Sequence, residues 1–411
     1  MRLHSLRLQN FRGFADLELS FSPNVTVLVG TNGAGKTSIL DAVALMLSCL
    51  LSGIKGAALQ APPIRHSDIL VGEAVAHLEL SAAIGSEQVR WTVVGASPGQ
   101  PPLQPGDLSQ LQSPIEAARR TIATGAARLP VAVYFPTNRN VLDIPDRIRP
   151  HDTSALDAYD GALDTGERNF RTFFEWFRDE EDLWNQQVVE NGRAPDTSPL
   201  PAVRRAILKL LPGASHIRVE RRPQRMTVDI RGRQLNVAQL SDGEKCVLAL
   251  VGDLARRMVL ANPGSVEPLQ EQAVVLIDEV ELHLHPGLQR IVLHELGSIF
   301  PNVQFIVTTH SPQVLSAVRA EQVKLLKDFR LEVLDRETWQ RDTNRILEAV
   351  FNDTGRPPEV SEMLNRLRTA VDEDRVHEAR QLIKELRGML EGDDPDVFFY
   401  EQLLPPEDAD A

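Results

Sequence analysis

The sequence predicts an α/β fold in which a largely parallel sheet presents a phosphate-binding loop, on the strength of three observations. An apolar run, Asn24–Val29, leads into Gly30-Thr31-Asn32-Gly33-Ala34-Gly35-Lys36-Thr37, which fits G-x-x-x-x-G-K-[ST]. Two more apolar runs, Ala273–Ile277 and Val303–Val307, suit strands buried on both faces, and each ends in polar residues. After Lys36, Ile39, Leu40, Val43, Ala44 and Leu47 recur at helical spacing, so Thr37–Leu51 is predicted as the helix that carries the loop.

Composition sets the bounds. A chain of 411 residues has room for two or three average domains, and its apolar and charged fractions are those of a globular protein. The net charge of −13 argues against wholesale coating of nucleic acid and leaves room for a local basic track. Cys49 and Cys246 lie far apart in apolar helical patterns, which suits reduced, buried thiols and a cytoplasmic location. Residues 1–22 lack the apolar core of a secretory leader, and no apolar run is long enough to suggest a membrane span.

Taken in order, Leu3–Leu8 and then Leu17, Leu19 and Phe21 alternate like hairpin strands. Val75–Ala82 and Gln88–Val94 are predicted as antiparallel strands around Gly85-Ser86. Pro98, Pro101, Pro102 and Pro105 mark a linker, Ile115–Ala123 a helix, and Pro130–Phe135 a buried strand followed by Pro136, Thr137, Asn138, Arg139 and Asn140. In 154–211 acidic and aromatic residues dominate. Phe170, Phe173, Phe174, Trp176, Phe177 and Trp184 suit the core side of an amphipathic helix, and the alternative is a base-stacking stripe. Val203–Leu211 is predicted helical, and Ile217–Val219, Met226–Ile230 and Gln234–Val237 are predicted as short strands. Beside them Arg218, Arg221, Arg222 and Arg225 form either a nucleic-acid track or a strand edge kept soluble by charge.

The chemistry-bearing residues fall at element ends. Glycines let the loop amides point at phosphate oxygens while the helix dipole adds positive potential, with Lys36 on the β- and γ-phosphates and Thr37 on Mg²⁺. Leu240-Ser241-Asp242-Gly243-Glu244-Lys245 opens a helix, with Ser241 and Glu244 as a capping box; a Ser- and Gly-bearing helix start is also an anion site. Asp278 and Glu279 are adjacent carboxylates at a buried strand end, a costly arrangement unless they bind something. Asp278 would hold the Mg²⁺ shell and Glu279 would orient or deprotonate the attacking water. Glu281, His283 and His285 invite a metal reading, which the absence of a further ligand cluster argues against. His310 has two readings, a γ-phosphate contact or a turn cap.

In this order the motifs resemble the ABC-class ATPase heads of the RecF, SMC and OLD-type group. The resemblance covers most of residues 1–315 and implies an ABC-type P-loop head with an antiparallel β subdomain. It implies that Arg12 of the Asn10-Phe11-Arg12-Gly13 segment lies near the nucleotide, alongside Gly30, Thr31, Asn32, Gly33, Ala34, Gly35, Lys36, Thr37 and Ser38. It makes His310 the switch histidine, and it implies that Ser241 and Gly243 of one copy contact the ATP held by another, so the heads form a homodimer or higher oligomer. Two features depart from the pattern. Asn138 or Arg139 stands where a glutamine reporting on Mg²⁺ is expected, and Asp242 stands where transporters carry glycine.

A narrower likeness rests on Phe173-Phe174-Glu175-Trp176-Phe177, the 240–245 motif, Glu281–Pro286 and the tail. It is similar to the ATPase subunit of Septu anti-phage systems, also found with some retrons, which works with a separate HNH nuclease. The implied function is an ATPase that regulates such a partner, and the alternative is a RecF-like repair clamp on DNA. The expected layout is the first part of the head in 1–150, a helical insertion in 151–215, the second part of the head in 216–335, a helical tail in 336–403 and a disordered acidic end in 404–411. In the tail, Ile346, Leu347 and Val350, then Leu364, Leu367 and Val371, then Ala379, Leu382, Ile383 and Leu386 suit helices ending in a hairpin, either a docking module or a structural cap. No acidic cluster with nuclease spacing is evident there.

Overall fold

A computed structural model of the chain describes residues 1–97, 106–125, 128–138, 154–164, 169–193, 195, 198–332, 350, 356–390, 392 and 394–405. The chain divides into two units, Met1–Arg341 and Asp342–Ala411. The proline-rich stretch 98–105, Arg139, Ile346, Leu347 and the end beyond Pro405 lie outside the described residues.

The first unit contains an antiparallel sheet of β1 (Arg2–Phe11), β2 (Phe14–Ser20), β4 (Val75–Ile84) and β5 (Glu87–Ala96), ordered β2-β1-β4-β5. Alternation sets its inner face: Leu6, Leu8, Leu78, Leu80 and Trp91 are fully buried. The second sheet comprises β3 (Val25–Gly30), β6 (Val131–Phe135), β10 (Ala273–Ile277), β11 (Val303–Thr309), β12 (Val323–Lys327) and β13 (Arg330–Glu332), ordered β13-β12-β3-β11-β10-β6. Its pairs are parallel except β12 with β13. β6, β10 and β11 are buried at every position, which explains the unbroken apolar runs of β6 and β10; β11 carries buried Gln304, whose side chain bonds the Leu3 amide and carbonyl.

α1 (Lys36–Ile54) is the central helix. By length and composition it could cross a membrane, which corrects the expectation that no such run exists, but 67% of its apolar window is buried inside the protein. It is a core helix.

α2 (Gln112–Ala123) packs on α1, and α3 (Asn169–Asn191) and α4 (Leu200–Leu210) pack on α5 (Asp242–Ala261). Phe170, Phe173, Phe174, Trp176 and Phe177 are all buried, so these five are core and offer no stacking surface, while Trp184 is half-buried. α5 also buries Asp253 between Arg256 and Arg257, with Asp253 Oδ2 2.7 Å from Arg257 Nε. Arg257 donates onward to the carbonyls of Ala158 and Asp160, fastening the segment that precedes α3.

A third, three-stranded antiparallel sheet joins β7 (Ala214–Arg221), β8 (Gln224–Ile230) and β9 (Arg233–Asn236); Val237 begins a short helical turn. Two members of the arginine cluster are committed here: Arg221 pairs with Asp182 at 2.5 Å and Arg225 with Glu220 at 2.6 Å. The second unit is a small helical bundle of Pro358–Asp372, Val376–Met389 and Pro395–Leu403, sharing a core that includes Leu367, Ala379, Leu382, Leu386 and Val397.

Candidate nucleotide-binding and hydrolytic site

Sheet register assembles the site. Val29 aligns with Thr309, Val307 with Ile277, and Ile277 with Phe135, so the residues following β3, β11, β10 and β6 stand side by side at the carboxyl edge of the sheet. Ligands bind at that edge in open α/β sheets.

The loop from Gly30 to Thr37 turns directly from β3 into α1. Gly35, the residue before the helix, sits at φ 99°, and a Cβ there would lie 2.5 Å from the Phe14 ring, so only glycine serves. Thr31, Asn32 and Gly33 are exposed, Gly30 and Ala34 are buried, and Ser38 is half-buried. Lys36 Nζ donates to the carbonyls of Gly30 at 2.9 Å and Thr31 at 3.0 Å. Burial lowers its pKa, opposed by the charges of Asp278, Glu279 and Glu281.

Thr37 Oγ1 donates to Asp278 Oδ2 at 2.9 Å, and Thr308 Oγ1 donates to Asp278 Oδ1 at 2.5 Å. The Asp278 amide is tied to the Phe135 carbonyl at 2.9 Å, so this buried carboxylate is fixed from three elements. Glu279 follows at φ 47°, a conformation unusual for a side chain with a Cβ, and its amide donates to Thr308 Oγ1 at 2.7 Å. Strain of this kind collects at functional sites. The amide of Val280 donates to the Thr308 carbonyl at 3.0 Å, and the His310 amide donates to Glu281 Oε1 at 2.6 Å. The carboxylate loop and the end of β11 are therefore laced together. Burial, and then the nearby Lys36 charge, lower the His310 imidazole pKa.

Arg12 lies at φ 51° in the turn between β1 and β2. Its guanidinium reaches Asp41 at 2.7 Å, Asp68 at 2.9 Å and Ser38 Oγ at 3.3 Å, which brings it to the first turns of α1. Tyr134 OH donates to the other Asp41 oxygen at 3.1 Å. The sequence reading did not single out Asp41 or Tyr134, although Asp41 follows Thr37 by one helical turn, the spacing that places two residues on one face.

Ser241 caps α5 as expected: its hydroxyl accepts the Glu244 amide, and Glu244 reaches back to the Ser241 amide at 2.9 Å. Ser241 is exposed and Gly243 is buried. A Cβ on Gly243 would lie 2.4 Å from the His283 carbonyl, so the α5 start abuts the loop that follows Glu279. His283 and His285 are exposed, and His285 accepts the Gly287 amide as a local cap. Among the described residues no group of three His, Cys, Asp or Glu could hold a metal by itself. Asn138 is exposed beyond β6, near the carboxyl edge of the sheet.

The donor chemistry fits a magnesium nucleotide. One hydroxyl and one carboxylate oxygen in contact match a cation that keeps water and phosphate oxygens as its other ligands. A buried lysine and a glycine-built helix start match phosphate.

Residues 113–316 match a family described as "AAA domain, putative AbiEii toxin, Type IV TA system", and residues 5–91 match one described as "AAA domain". The chain is 29% identical over 421 residues to the retron Ec83 probable ATPase of Escherichia coli, covering 87% of this chain and 78% of that protein. Over 100 residues it is 36% identical to the Septu protein PtuA of Bacillus mycoides, covering 24% of this chain and 13% of that protein. Among solved structures, the SMC head domain from Thermotoga maritima is 18% identical with a TM-score of 0.45, covering 82% of this chain and 100% of that one.

Proposed function

We propose, from the premise that this chain is an ABC-like ATPase of the RecF, SMC and OLD group similar to retron and Septu ATPases, that it hydrolyses ATP between two copies of itself and regulates a separate nuclease. The observation that carries the proposal is the 2.9 Å contact joining Thr37 of the phosphate loop to Asp278, with Glu279 held next to it by Thr308.

Lys36, turned from the Gly30 and Thr31 carbonyls, binds the β- and γ-phosphates, and the loop amides cradle them. Thr37 and Asp278 would hold Mg²⁺, which when bound neutralises charge on the transferring phosphoryl group. Glu279 orients the lytic water and accepts its proton. His310, at the end of β11, is the imidazole donor to the γ-phosphate. Ser241 and Gly243 of a second copy close the site, and opening after hydrolysis resets the partner nuclease, for which the helical tail is the docking module. The committed arginines Arg221 and Arg225 weaken the competing reading of a DNA clamp gripping through that cluster.

Glu279→Gln tests the reading. It should bind ATP as the native protein does and lose at least about 100-fold in turnover, the scale of a missing general base. Hydrolysis at the native rate would remove Glu279 from its role. Purified with the products of neighbouring genes, the native protein should carry a nuclease whose cutting depends on ATP; a nuclease indifferent to ATP would leave an ATPase without the regulatory role.

A further inference from the structure

We infer that Glu281 is a positioning residue for His310, acting through the backbone of the segment that follows β11. The inference rests on the ATPase reading above and names a residue that reading does not use.

Glu281 lies three residues beyond Asp278 in a loop already tied to β11 through the amides of Glu279 and Val280. Its Oε1 accepts the His310 amide at 2.6 Å, the distance of a charge-assisted hydrogen bond. With the Thr308 bond to Asp278 and the amides of Glu279 and Val280, that bond makes four ties between the carboxylate loop and the end of β11, and it reaches His310 itself. Its Oε2 is buried and has no hydrogen-bond partner among the described residues. A carboxylate with one oxygen committed and the other shielded is an expensive way to fix a turn, and buried polar groups left unpaired are rare enough to require a reason. The following turn needs no cap from Glu281, because Ser311 already caps it by accepting the amides of Gln313 and Val314. A side-chain acceptor on the His310 amide does give the carboxylate loop and the histidine a common frame. Movement of Glu279 during turnover then carries His310 with it.

The test is a double-mutant cycle on the full chain, measuring kcat, KM for ATP, affinity for a fluorescent ATP analogue and Tm for Glu281→Ala, His310→Ala, their combination and Glu281→Gln. Because the role is exerted through His310, Glu281→Ala should lower kcat by about tenfold or more while changing nucleotide affinity less than about twofold. The combination should be no slower than His310→Ala alone. Glu281→Gln keeps an acceptor for the His310 amide and should recover most of the rate. Multiplicative losses in the combination, an unchanged kcat for Glu281→Ala, or a Gln variant as slow as Ala would each overturn the inference. If Glu281→Ala does not fold, the cycle is run with Glu281→Gln and Glu281→Asp, where equal rates for Asp and Gln in the presence and absence of His310 would overturn it. The native chain, assayed alongside, separates the two levels: ATP turnover by the native chain with multiplicative Glu281 and His310 losses removes this inference alone, whereas a native chain that neither binds nor hydrolyses ATP removes the ATPase reading beneath it.

Discussion

Lys36 holds two carbonyls of its own loop, a geometry that keeps a buried ammonium satisfied and aimed along the strand edge. In the proposed site those carbonyls exchange for phosphate oxygens on binding, so Lys36→Ala should lower kcat/KM for ATP by on the order of 100-fold or more while leaving Tm close to native. An ATPase assay with a thermal melt measures both, and unchanged kcat/KM would place the phosphates elsewhere. The residues that were legible before the structure are those whose chemistry is local. Gly30 to Thr37 carry a fixed spacing, and Asp278 with Glu279 announce themselves as charges after an apolar run. What could not be read were partnerships across long sequence distances: Tyr134 with Asp41, Thr308 with Asp278, and Glu281 with His310 are neighbours only because strand register makes them so.

At the level of elements, periodicity located the buried strands, the loop-bearing helix and the aromatic helix, because each has a burial pattern that shows in the order of residues. The hairpin of β12 and β13 was missed for a stated physical cause. Its turn residues Asp328 and Phe329 both have positive φ, at 48° and 59°, without the glycine that normally signals such a turn. The helix Pro395–Leu403 falls within the expected helical tail, but its apolar face was not legible because apolar residues occur on more than one side: Val397 is buried while Phe398, Phe399 and Leu403 are exposed. The most informative junction between elements is Gly243 against His283, which ties the start of α5 to the carboxylate loop. Gly243→Ala should push these apart, costing about 1–3 kcal/mol of stability by overpacking and lowering turnover. Denaturant unfolding and an ATPase assay check this together; a native-like Gly243→Ala in both would show that the junction is loose.

For the whole molecule, the site just described is half of the proposed one. The phosphate loop, Asp278, Glu279 and His310 gather at one sheet edge, while Ser241 stands exposed at the start of α5, available to another copy. The two units, Met1–Arg341 and Asp342–Ala411, are each compact, and the helices of the second share a core of their own. The measurement that tests this account most directly is the solution mass of Glu279→Gln, by light scattering, with and without ATP and Mg²⁺. A two-copy site requires a shift to an ATP-bound dimer or a multiple of it, with one ATP retained per chain, and its loss when Ser241→Arg is added. A Glu279→Gln protein that binds and retains ATP as a monomer would contradict it.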